Sequence, residues 1–90
     1  MRLQLAPGTT LTLVEGKSVL FSVKSGESFG LNETAAEMLK MAREKGLDEA
    51  AKRLALEYDA PIAEIRSDLD ELVGELVRLK FAQLAGAHGS

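Results

Sequence analysis

Apolar positions along the chain change period once, at Asn32. Upstream they alternate. Thr10-Leu11-Thr12-Leu13-Val14 places Leu11 and Leu13 on one face and reads as a strand. Glu15-Gly16 makes a tight turn into a second strand, Ser18-Val19-Leu20-Phe21-Ser22-Val23, rich in β-branched and aromatic side chains. Lys24-Ser25-Gly26 turns again, and Glu27 to Leu31 forms a third strand, with Phe29 and Leu31 on one face and Ser28 and Gly30 on the other. Two hairpins in succession predict a three-stranded antiparallel meander.

From Asn32, whose side-chain oxygen can accept from the first helical turn, the period is helical. Ala35, Met38, Leu39 and Ala42 fall at i, i+3, i+4 and i+7, and Gly46 closes this first helix. Leu47, Ala50, Ala51, Leu54, Ala55 and Tyr58 share one face of a second helix, with Leu56 off it. Asp59-Ala60-Pro61 breaks the chain, and Pro61 suits the first position of a third, longest helix carrying Ile62, Ile65, Leu69, Leu72, Leu76 and Leu79. Residues 1–9 are weakly patterned, and Lys80 to Leu84 reads as a short extension closing the core. Three strands followed by three helices predict an α+β domain with a winged helix-turn-helix-like arrangement. It is expected to span residues 1–84, with a flexible tail over 85–90.

Composition narrows the functions. The chain has 90 residues, 46% hydrophobic and 28% charged, enough for one modest core. With no cysteine there is no disulfide framework or thiolate metal site, and no apolar run approaches the roughly 20 residues of a membrane helix. A soluble, cytoplasmic protein is expected. The only histidine, His88, lies in the tail, no serine has a histidine partner nearby in sequence, and no phosphate-binding loop or dinucleotide fingerprint occurs. Carboxylates such as Glu33, Glu37, Glu44, Asp48, Glu49 and Glu57 read as solvated helix faces. The expectation is therefore a protein that is not an enzyme and uses no cofactor or metal.

Charge also argues against DNA, the usual ligand of a winged helix. The net charge is −3, and the third helix carries Glu64, Asp68, Asp70, Glu71 and Glu75 against Arg66, Arg78 and Lys80, a balance that phosphate repels. A peptide suits the pattern better. The third strand has neither proline nor lysine to blunt an edge, so at a sheet margin its free N–H and C=O groups can pair with an extended chain. Val73 and Val77 widen the apolar stripe of the third helix, either to wall a groove or simply to complete the core.

The stretch Val19-Leu20-Phe21-Ser22-Val23-Lys24-Ser25-Gly26-Glu27-Ser28-Phe29-Gly30-Leu31-Asn32-Glu33-Thr34-Ala35 resembles the PqqD family, peptide chaperones named after coenzyme PQQ synthesis protein D. A second segment is similar: Leu54 to Pro61, then Ile65, Asp68-Leu69, Leu72 and Leu76. Together they span about residues 10 to 81. The resemblance implies a RiPP recognition element, a domain that binds the leader of a ribosomally made, post-translationally modified precursor peptide. The leader would add a strand and present the core peptide to a modifying enzyme, such as a radical SAM enzyme or a leader peptidase. By position, the strand partners would be Glu27, Ser28, Phe29, Gly30 and Leu31, and the groove wall Arg66, Leu69, Asp70, Val73 and Val77. Lys80 departs from the family pattern, standing where many members end the third helix with glycine. Two other readings stay open: a winged-helix transcription regulator, and a structural or dimerisation module whose edge pairs with itself.

Overall fold

A computed structural model describes residues 1–85. Strands β1 (Arg2–Leu5), β2 (Thr9–Val14), β3 (Lys17–Ser22) and β4 (Ser28–Leu31) precede helices α1 (Glu33–Lys45), α2 (Leu47–Tyr58) and α3 (Ile62–Arg78), and β5 (Ala82–Ala85) follows them. The meander is present as an antiparallel sheet of order β2-β3-β4. At its first turn Glu15 and Gly16 both take positive φ, 52° and 81°, the geometry that lets a two-residue loop match strand twist. That turn fixes the register, with Val14 opposite Lys17 and Leu11 opposite Leu20.

The helices form where their apolar period runs. Asn32 caps α1 by accepting from the Ala35 N–H at 2.7 Å, and Gly46, at φ 88°, joins α1 to α2. Pro61 sits one step before α3 rather than inside it. Leu39, Leu54, Leu69 and Leu76 are fully enclosed, and Leu20 and Leu31 bring the meander's inner face onto the same core.

One element was not expected. Residues 2–5 and 82–85 pair antiparallel as a separate two-stranded sheet, with Leu3 opposite Leu84. Each segment is four residues long, too short for a period to declare itself, and the partner lies some eighty residues away. Burial of Leu3, Phe81 and Ala82 holds the pair in place. Strand β5 takes in Ala85, and the rest of the expected tail, His88 included, lies outside the described residues.

Candidate functional site: the β4 edge and the flank of α3

Strand β4 ends the meander, so one of its two edges has no partner within its sheet. Which residues serve that edge follows from ladder phase. The Ser22 N–H donates to the Glu27 carbonyl at 3.0 Å, so Ser22 and Glu27 form a hydrogen-bonded pair. In an antiparallel ladder such pairs recur at every second position. Phe29 opposite Leu20 and Leu31 opposite Ser18 therefore bond to β3, while the backbone groups of Ser28 and Gly30 point away from it. The same phase runs through β3, where the Val23 N–H donates to the Gly8 carbonyl on the β2 side.

The loop before β4 is braced locally. The Ser22 hydroxyl accepts from the Ser25 N–H, and the Ser25 hydroxyl accepts from the Glu27 N–H. Gly26, at φ 76°, reverses the chain and donates to the Ser22 carbonyl at 2.8 Å. Glu27, Ser28 and Gly30 are exposed, Phe29 is half-buried and Leu31 is buried. The Phe29 ring tilts against Phe81, with centroids 5.9 Å apart, tying β4 to the end of α3. An added Cβ at Gly30 would meet nothing within 4 Å, so the face of β4 opposite Phe29 and Leu31 is open there.

The expected groove wall divides. Leu69 and Val73 belong to the core, at 0% and 4% exposure, on the side of α3 that packs against the other helices. Arg66 reaches Asp48 of α2 and also binds Asp70 at 3.0 Å, so this flank of α3 faces α2; Val77, two turns beyond Asp70, lies on the same flank. The Arg66 guanidinium hydrogen-bonds Asp48 and attracts its charge, holding that carboxyl below the usual aspartate range. The hydrogen bonds that the guanidinium donates to Asp48 and Asp70 in turn raise the pKa of Arg66. The Arg66–Asp48 pair ties α3 to α2, and the Arg66–Asp70 pair lies within α3.

The flank of α3 nearest the ends of β4 carries Asp68, Leu72, Glu75 and Leu79, spaced i, i+4, i+7 and i+11. Beyond the C-terminal end of β4, Asn32, Thr34, Ala35 and Met38 face Asp68, Glu71, Leu72 and Glu75 across a cleft of about 290 Å³. At the N-terminal end, Lys24, Ser25 and Glu27 face Leu79 and Lys80 across a recess of about 350 Å³. The sequence could have given this flank, since Leu72 and Leu79 were already on the apolar stripe. Choosing between the two flanks needed the packing of α2, which periodicity does not contain. Among the described residues no cluster of acids and histidines is placed to hold a metal ion, and no helix is long and apolar enough to cross a membrane.

A strand edge beside a helix flank, on a meander followed by three helices, is the architecture of a peptide-recognition domain. The sequence pattern of the PqqD family, described as coenzyme PQQ synthesis protein D, matches residues 17–82, and the chain belongs to that family. No curated protein matches it. Among solved structures it is similar to a lasso peptide synthetase B1 complexed with the leader peptide, at 25% identity and a TM-score of 0.86, covering 93% of this chain and 100% of that one. It also resembles TbiB1 in complex with the TbiA(beta) leader peptide, in fold alone, at 17% identity and a TM-score of 0.81 over 96% and 99% of the two chains. A third similar structure is the PqqD truncation of Methylobacterium extorquens PqqCD, described as a functional, stand-alone RiPP recognition element; identity is 25%, TM-score 0.73, and coverage 91% and 88%.

Proposed function

We propose that this protein binds the leader of a ribosomally synthesised precursor peptide, without itself catalysing a reaction, and presents it to a modifying enzyme. The observation that carries the reading is the unpartnered edge of β4, with Ser28 and Gly30 turned outward beside the flank of α3. An extended leader gains main-chain hydrogen bonds from Ser28 and Gly30 and side-chain contacts from the helix flank, the two components of strand-addition recognition. The similar lasso peptide synthetase B1 is complexed with a leader peptide in its solved structure, which supports the same ligand class here. The enzyme served is of the kind that acts on such precursors, a radical SAM enzyme or a leader peptidase.

Glu27 to Leu31 remain the proposed strand partners. On α3 the proposed contacts move to Leu72 and Leu79, with Leu69 and Val73 beneath them as core and Arg66, Asp70 and Val77 on the α2 side. Gly30→Pro tests the reading. Proline deletes the outward N–H of Gly30 and leaves the β3-facing bonds of Phe29 and Leu31 in place. Calorimetry with the leader encoded beside this chain should show at least a tenfold loss of affinity, with circular dichroism unchanged. Full affinity in the folded variant would exclude strand addition at β4.

A further inference from the structure

The two recesses at the ends of β4 differ in charge. The one beyond Leu31 is rimmed by three exposed α3 carboxylates, Asp68, Glu71 and Glu75. Of these only Glu75 has a cationic neighbour, Arg78 at 3.7 Å, among the described residues. The opposite end, before Ser28, has Lys24 and Lys80 against the single acid Glu27. Strand β4 spans four residues between the two ends, about 10–13 Å at strand rise.

From this charge gradient we infer that the protein selects leader segments carrying a basic side chain and an acidic one about four residues apart, the base over the α3 carboxylates and the acid over Lys24 and Lys80. The inference rests on β4 being the leader edge and adds which leaders fit it. Leucine 72, half-buried between the carboxylates, gives the aliphatic stem of a lysine or arginine a surface to lie on while its head group reaches Glu71 or Asp68. In an antiparallel added strand the N-terminal residues lie beside Leu31 and the C-terminal ones beside Ser28. The base therefore precedes the acid in the leader sequence. A leader with the order reversed places like charges together at both ends, so the gradient fixes direction and register as well as affinity.

The test is selection from a displayed library of random dodecapeptides on the full chain at low salt. Synthesis of the most enriched peptide and mapping of its site by amide chemical shifts follow. The expected result is shifts along Glu27 to Leu31 and enrichment of a base followed, about four residues later, by an acid. The paired substitution Asp68→Lys with Glu71→Lys should weaken that peptide on the order of tenfold, an effect that shrinks at high salt. Lys24→Glu with Lys80→Glu is the reciprocal variant and should act similarly from the other end. Peptides that map to β4 but show no charge pattern and ignore both variants would overturn the inference and leave leader binding intact. Enriched peptides that map elsewhere, or no enrichment, would overturn both.

Discussion

At Lys80 the backbone takes φ 67°, a left-handed conformation that costs a side chain with a Cβ about 1–2 kcal/mol. The chain accepts this because the turn closes α3: the Lys80 N–H donates to the Val77 carbonyl at 3.0 Å and the Phe81 N–H to the Leu76 carbonyl at 2.9 Å, the paired bonds of a Schellman end. Phe81 is then delivered into the core and against Phe29. The sequence marked Lys80 as a departure from a glycine that many family members carry, and the geometry gives the physical reason for glycine there. Lys80→Gly should stabilise the fold by about 1 kcal/mol, raising the midpoint of thermal unfolding by roughly 4–8 °C in a domain of this size. An unchanged or lower midpoint would mean that lysine carries compensating contacts. If Lys80 also holds the acidic residue of the leader, the stabilised variant binds its ligand less tightly.

Among the elements, α3 divides by face. On the buried face, Ile65, Leu69 and Leu76 were legible from the three-and-four spacing, because that spacing follows directly from helical geometry; Val73, which the sequence left between groove wall and core, is buried with them. The assignment of the flanks was not, because it depends on Arg66 meeting Asp48 of another helix. Substitutions separate the three environments. Val73→Asp places a charge in the core and should unfold the domain or cost several kcal/mol, as seen in denaturant titration, so it reports on packing rather than on the groove. Leu79→Ser and Val77→Ser both replace leucine or valine side chains that are 38% exposed, and both should leave the fold intact. Only Leu79→Ser, on the β4 flank, should weaken leader binding, by about threefold to tenfold in calorimetry. Equal effects from the two would place the groove on neither flank alone. Edge strand β4 was legible for a different reason: the hairpin order left it last in the meander, and its lack of proline and lysine left the edge unblunted.

Across the whole molecule, the α+β architecture was readable because each period is local, while the β1–β5 pair was not, because it joins segments at opposite ends of the described chain. In the proposed mode of binding that pair acts indirectly. The Ala6 N–H donates to the Phe81 carbonyl and the Thr9 N–H to the Ala6 carbonyl, so the entry to the meander is tied to the end of α3. With Phe29 resting on Phe81, β4 and the end of α3, the two sides of the proposed groove, are held together. Such preorganisation reduces the ordering cost of binding, which for an extended, flexible leader is otherwise large. The net charge of −3 does not reveal its distribution, with three α3 acids at one end of β4 and Lys24 and Lys80 at the other.

In the proposed complex a leader pairs with the outward backbone of β4. Amide hydrogen exchange, read residue by residue with and without saturating leader, tests it most directly. In the free protein, Phe29 and Leu31, bonded to β3, should exchange slowly, and Ser28 and Gly30 should exchange fast. Leader binding should slow Ser28 and Gly30 selectively, leaving Phe29 and Leu31 nearly as they were. Saturation that leaves both outward amides unprotected would contradict strand addition at this edge.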